Sequence, residues 1–251
     1  MKDNEIILAT TTSTYDSGLL DELITAFKEE TGYKVKPIAV GTGEAIAMGE
    51  KGEVDIILVH SRAEEDKFVE EGYGINRRDI MHNDFVIIGP EDDPANIKGF
   101  TPVDAYNAIS EAGALFVSRG DDSGTNKKEI EIWEEAGITP QGDWYVESGQ
   151  GMGETLRIAD EKQAYTMTDR GTFLSQRDSL SLIVIVEGDE ILFNPYGVIA
   201  VNPEKHNDIE INYKGAQAFT EFITGEEGQA IIKDFGVDKY GQPLFYPDVI
   251  K

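Results

Sequence analysis

The sequence predicts an α/β protein of two lobes, each a mostly parallel sheet flanked by helices. Three observations predict it. Short apolar runs of strand length alternate with segments of helical periodicity along almost the whole chain. The connections between them are short, which suits parallel strands covered by helices. The alternation also falls into two separate series, with a polar break between them.

The elements follow in order. Ile6–Ala9 is a short apolar run, read as a strand that ends in hydroxyl residues. Leu19, Leu20, Leu23, Ile24 and Phe27 recur at helical spacing, and Gly32 closes that helix. Lys34–Val40 reads as the next strand, and Asp55–Val59 as a continuous apolar strand of the buried kind. The second series alternates strands at Asp84–Gly89, Ala114–Ser118, Trp144–Glu147 and Ala164–Thr168 with helices at Pro102–Ser110, Lys127–Ala136 and Glu154–Glu161. Strands at Ile183–Val186 and Tyr196–Val201 follow, then helices at Tyr213–Ile223 and Glu226–Phe235. The acidic stretch Pro90–Pro94 follows a strand able to cross between lobes, and a return near Asn194–Gly197 makes the second lobe an insertion. The expected division is therefore 1–84 with 197–251 as lobe I, and 85–196 as lobe II.

Composition excludes several functions. The 48 acidic and 22 basic residues leave a net charge of −26. Nucleic acid and anionic lipid are poor partners for such a chain, because both need a basic footprint. The absence of cysteine excludes disulfides, thiolate metal sites and cysteine nucleophiles within this chain. No stretch approaches the roughly 20 apolar residues of a membrane span. Met1 is followed by the polar Lys2-Asp3-Asn4-Glu5, so an export signal is not expected within the chain.

Two segments carry the chemistry. Thr10, Thr11, Thr12, Ser13 and Thr14 place five hydroxyls between the first strand and the first helix. One of them is ordinary N-capping; five exceed that need and suit an anion at a helix N-terminus. Ser118–Thr125 occupies a second strand-to-helix turn. There Arg119 brings a permanent planar cation, and Ser123, Gly124 and Thr125 bring hydroxyls and amide donors. On its own this second segment is explained equally well by an Asp122 cap and an Arg119–Asp121 surface pair.

Three weaker loops follow strands in the same way: His60-Ser61-Arg62, Ser148–Gly153 and Thr168–Thr172. Ser148–Gly153 lacks the Gly-Lys-Ser/Thr ending of a P-loop and reads as a tight turn near a ligand. Arg170 is expected to pair with Asp169 or another carboxylate. In open α/β sheets ligands bind at the carboxyl ends of strands, where all these loops lie, so they can converge.

The Thr10–Ser13 run, Val59–Ser61, Ser118–Thr125 and Thr168–Thr172 together resemble the TupA-type tungstate-binding proteins of ABC transporters, in order and from about Ile6 to the C-terminus. The resemblance implies a two-lobed type II periplasmic-binding-protein fold with the ligand cleft between lobes. It implies Thr10, Thr11, Thr12, Ser13, Ser61, Arg119, Ser123, Gly124 and Thr125 as contacts to tungstate or a related oxyanion. It implies an ABC transporter permease as partner, a monomer and no cofactor. The expected location is extracytoplasmic, in a periplasm or as a cell-surface lipoprotein.

Other readings remain at this level. Molybdate nearly matches tungstate in size and charge, and phosphate is admitted if Asp121 or Asp122 accepts a hydrogen bond from its protonated oxygen. An enzyme acting on a carboxylate is disfavoured because His60, His82 and His206 show no triad or metal spacing. Glu64-Glu65 and Glu134-Glu135 read as solvated helix faces. Glu91-Asp92-Asp93 lacks the glycine and terminal glutamate of a calcium loop.

Overall fold

The computed structural model describes residues 4–121 and 123–249, with Ser13 and Asp16 described by their main chain alone. The first elements are β1 (Glu5–Thr11), α1 (Thr12–Ser17), α2 (Leu19–Thr31), β2 (Lys34–Val40), α3 (Thr42–Glu50), β3 (Ile56–Val59), α4 (Arg62–Glu70) and the long β4 (Gly74–Gly89). Then come α5 (Pro102–Ala112), β5 (Phe116–Ser118), α6 (Gly124–Glu135), β6 (Tyr145–Glu147), α7 (Met152–Lys162), β7 (Thr166–Asp169), α8 (Arg170–Gln176) and β8 (Ile183–Val186). The chain continues through β9 (Phe193–Val201), α9 (Tyr213–Ile223), α10 (Glu226–Asp234), α11 (Val237–Tyr240) and β10 (Tyr246–Pro247). Two compact units result, one from the chain up to His82 and again from Pro195, the other from Asn83–Asn194. The chain passes between them inside β4 and inside β9.

The first unit is a sheet in the order β10-β4-β9-β3-β1-β2. Parallel β1–β2 and β1–β3 pairs form its middle and one edge. Alternate residues explain why β1 and β3 read as largely apolar runs. Ile6 and Leu8 of β1, with Ile56 and Leu58 of β3, face one cluster containing Leu19, Leu23 and Phe27 of α2 and Phe219 of α9. Ala9, Ile57 and Val59 face the opposite cluster with Ala45 and Ile46 of α3 and Phe68 of α4. With both faces covered, the central strands β1 and β3 favour apolar residues, and each buried aliphatic side chain contributes about 1.5–3 kcal/mol.

In the second unit β5 and β6 pair in parallel, while β7 and β8 pair antiparallel with β4. Its core is aromatic. Trp133 lies 4.1 Å from Tyr106 and 5.4 Å, edge-on, from Phe116, measured between ring centres.

Parallel pairing thus holds within β1–β3 and β5–β6. The pairs β3–β9, β4–β10, β4–β7 and β4–β8 are antiparallel. β4 also begins at Gly74, well before the expected Asp84, because the polar Asn76–Asp79 stretch carries no apolar alternation to reveal it. α3 and α4 carry no expectation from sequence: α3 contains two glycines, and the exposed face of α4 is dense in charge. α6 starts at Gly124 instead of Lys127, since Ser123 supplies its cap.

One close approach has a measurable consequence. A Cβ on Gly89 would stand 2.4 Å from the Tyr165 ring, inside any tolerable contact. Gly89→Ala is expected to lower stability by about 1–3 kcal/mol, the usual cost of overpacking. Urea denaturation checks this through a lower midpoint.

Candidate oxyanion site

Parallel strands send their carboxyl ends to one edge of a sheet, and each then hands the chain to a helix whose first N–H groups lack partners. In the first unit β1, β2 and β3 end side by side, with Thr11 paired to Val40 and Thr10 to Leu58. They lead into α1, α3 and α4.

The hydroxyls there divide by role. Thr10 is fully buried, and its Oγ1 donates to the Leu58 carbonyl at 2.9 Å, so its proton ties β1 to β3. Thr11 caps α1, accepting from the Thr14 N–H at 3.4 Å and lying 2.7 Å from the Thr14 hydroxyl. Thr14 itself is buried. Thr12 is exposed in the first turn of α1, and the side chain of Ser13 lies outside the described residues. Ser61 precedes α4, and its hydroxyl makes no capping bond. The Gly41-Thr42-Gly43 segment occupies the same edge after β2. Sequence reasoning passed over it, although a glycine–threonine–glycine turn after a strand was its available signal.

Glu65, expected to be solvated, is fully buried. Its Oε1 accepts from the Ser61 N–H at 3.0 Å and its Oε2 from Arg77 Nε at 2.7 Å. Burial raises its pKa more than Arg77 and the Ser61 amide lower it, so the net direction is upward. The acid belongs to the support of the Ser61 turn.

In the second unit β5 and β6 end side by side, with Ser118 opposite Glu147. Ser118 is buried, and its Oγ accepts from the Gly120 N–H and from Asn126 Nδ2, both at 3.2 Å. This fastens the loop to α6. Gly120 has φ +62°, and a Cβ there would meet Glu147 Cβ at 2.7 Å, so the turn requires glycine.

Arg119 pairs through Nη2 with Asp121, as the bland reading of this loop expected. That pair does not exhaust the guanidinium: Arg119 Nε is buried and has no acceptor among the described residues. Burial would raise the Asp121 pKa, but bonds from Ser123 and Arg119 outweigh it and hold the carboxyl below its ordinary range. Ser123 caps α6, accepting from the Asn126 N–H at 3.3 Å, while its own N–H donates to Asp121 at 3.2 Å. Gly124 and Thr125 form the first turn of α6, with Thr125 buried and Gly124 exposed. Asp122 lies outside the described residues.

The Ser148–Gly153 loop runs along Arg119. The Ser148 N–H donates to the Ser118 carbonyl and the Gly149 N–H to the Arg119 carbonyl, both at 2.8 Å. Gly151 then opens α7 with no side-chain cap. The second unit therefore brings together a cation, two helix starts and a capping hydroxyl.

Thr168–Thr172 has another task. Asp169 caps α8, accepting from the Thr172 N–H at 2.8 Å and hydroxyl at 2.7 Å. Arg170 forks onto Asp84 at 2.8 and 2.6 Å and reaches Glu187 at 2.7 Å. Its carboxylate partners are thus Asp84 and Glu187, with Asp169 used elsewhere. Asp93 accepts from the Tyr165 hydroxyl and the Ile97 and Lys98 amides, so it closes a turn. Among the described residues no acid, histidine or cysteine cluster is arranged to hold a metal ion, and no helix is long and apolar enough to cross a membrane. His60 packs on the Tyr196 ring, and His82 pairs with Asp248 at 2.7 Å.

The PBP superfamily domain matches residues 2–227. The tungstate-binding protein TupA of Peptoclostridium acidaminophilum is 54% identical over 249 residues, covering 98% of this chain and 86% of that protein. The structure of the tungstate-binding protein TupA from Desulfovibrio alaskensis superposes with a TM-score of 0.91 at 44% identity, covering 97% of this chain and 98% of that one. A structure described as the tungstate ABC transporter from Geobacter sulfurreducens is 48% identical, with a TM-score of 0.77 over 92% of this chain and 98% of that one. On this similarity over nearly its whole length, the chain belongs to the PBP superfamily and, within it, to the TupA-type tungstate-binding proteins.

Proposed function

We propose that this protein captures tungstate outside the cytoplasmic membrane and delivers it to the permease of an ABC transporter. It acts as a monomer, without a cofactor and without catalysis. Arg119 and the Ser123–Thr125 turn are the principal contacts, joined by Thr11, Thr12, Ser13 and Ser61; Thr10 supports them from within the sheet. The observation that carries this reading is the Arg119 Nε, a buried charged donor with no acceptor among the described residues, set where α6 and α7 begin. An unpaired buried donor costs about 1–3 kcal/mol, which an arriving oxyanion relieves.

The magnitudes suffice. Hydrogen bonds to a charged group contribute about 1.5–3 kcal/mol each, so about six of them reach the roughly 12 kcal/mol of nanomolar binding. The site also discriminates, because its cation and amides favour a fully deprotonated oxyanion: the proton of hydrogen phosphate needs an acceptor, and the Asp121 carboxylate already accepts from Arg119 and from the Ser123 N–H. Molybdate, with the same charge and nearly the same size, is held by the same donors.

Titration calorimetry with tungstate, molybdate, sulfate and phosphate tests the reading. Tungstate is expected to bind with nanomolar affinity and phosphate at least ~100-fold more weakly, the effect of about two lost charge-assisted bonds. Binding of none of the four would overturn it. Ser61→Ala is expected to weaken tungstate binding about 10–100-fold, the loss of one hydroxyl donor to a charged ligand.

A further inference from the structure

One buried acid is joined to the Arg119 loop through Ser118 and has no part in the contacts above. Glu129, on α6, is 2% exposed. Its Oε1 accepts from the Tyr145 hydroxyl at 2.7 Å and from the Trp133 indole at 3.2 Å. The Ser118 hydroxyl also acts on both the Glu129 carboxyl and the Tyr145 phenol. Ser118 in turn holds Gly120 and Asn126, and Asn126 donates to the Ser123 cap. A single polar cluster therefore links Glu129 to the residues on either side of Arg119.

We propose that Glu129 is a positioning residue for the Arg119 half-site, and that it takes up a proton as the oxyanion binds. This rests on the oxyanion reading of that loop. The physical cause is repulsion in a medium that screens poorly: a dianion at the 119–125 turn disfavours a second negative charge on the carboxyl that supports it. The proton comes from solvent, and no covalent bond changes.

The cluster is poised for this. Burial lifts the Glu129 pKa to about 7, against the bonds from Tyr145, Ser118 and Trp133 that favour the charged form. The other ionisable groups acting on it are Tyr145 and Glu147 of β6 and Tyr106 of α5. Both tyrosines are pushed upward by burial, away from neutrality. On β7 the nearest ionisable group is Asp169, which is occupied in capping α8. Binding favours protonated Glu129, so affinity is full below its pKa and falls as the pH rises through it.

Calorimetry with sodium tungstate, in buffers of different ionisation enthalpy between pH 6 and 8.5, measures the proton directly. Tungstate itself stays fully deprotonated there. The unaltered protein is expected to take up a fraction of a proton per ion near pH 7, with Kd rising by up to about tenfold per pH unit above it. Glu129→Gln keeps the shape and the acceptor and is expected to bind with neither uptake nor pH dependence. Should that variant fail to fold, the unaltered protein still decides: Trp133 fluorescence reports the carboxyl beside it, and its pH midpoint is expected to rise on adding tungstate. Tungstate binding without proton uptake, a fluorescence midpoint that stays fixed, or uptake retained in Glu129→Gln but lost in His60→Gln would each overturn the proposal while leaving the oxyanion reading intact. A protein that binds no oxyanion at any pH would overturn both.

Discussion

Arg119→Ala is expected to weaken tungstate binding by about 10²–10⁴-fold while leaving the fold unchanged. The side chain offers two donors that a neighbouring oxyanion can engage, each charge-assisted bond contributing about 1.5–3 kcal/mol, and every 1.4 kcal/mol is tenfold in affinity. The substitution also frees Asp121 from its cation, leaving an uncompensated carboxylate at the loop. That second effect acts in the same direction, because an unpaired anion repels the ligand. Arg119→Lys keeps the charge but loses the planar fork, and Nε has no equivalent in lysine. Its affinity is expected to fall between the two. Calorimetry on the three proteins checks the order, and equal affinities for the alanine variant and the parent would remove Arg119 from the site. The net charge of −26 affects approach more than affinity, because exposed charges are screened beyond about 8 Å at physiological salt.

The largest effect on stability is expected from Asp84→Ala. Arg170 is 8% exposed and Asp84 4%, so the pair is withdrawn from water. Bonds to Asp84 lead the causes that raise the Arg170 pKa. Alanine at 84 leaves a buried guanidinium held by the half-exposed Glu187 alone. Removing one partner of a buried pair costs about 3–5 kcal/mol, because the remaining charge stays desolvated. Urea denaturation is expected to show a lower midpoint at nearly constant slope. Arg62→Ala breaks the exposed pair with Asp66 and serves as the contrast, with a change within about 0.5 kcal/mol. Similar losses for both variants would refute the distinction.

Much of this was legible in one dimension because burial on both faces leaves a plain signature. Apolar runs such as Asp55–Val59 and helical spacing such as Leu19–Phe27 report their own environment, so β1, β2, β8, β9, α2 and α9 emerge close to their observed bounds. The candidate oxyanion loops stand out in the sequence for a related reason: hydroxyls, glycine and arginine between a strand and a helix are local chemistry. α4 stayed hidden because its apolar stripe is narrow, Phe68 being its one buried hydrophobic residue.

The partners of charged residues could not be read locally. Glu65 looks like half of a solvated pair in sequence, yet it is buried on Arg77, twelve positions away. Arg170 stands beside Asp169 but bonds Asp84, 86 positions distant, because Asp169 turns to cap its own helix. Thr10 reads as one more hydroxyl of a run, and only the pairing of β1 with β3 turns its proton toward Leu58. Glu129 carries no sequence signal at all; its surroundings depend on Ser118 and Tyr145 reaching α6 from β5 and β6. The sequence by itself determined the α/β class and singled out the two hydroxyl-rich turns and Arg119 as candidates for an anion site, because these follow from periodicity and residue type. Tertiary structure alone decided which hydroxyls are spent inside the sheet and which acids are buried. A hydrogen bond or a desolvated charge is set by what long-range packing brings within about 3 Å, and adjacency along the chain does not encode that.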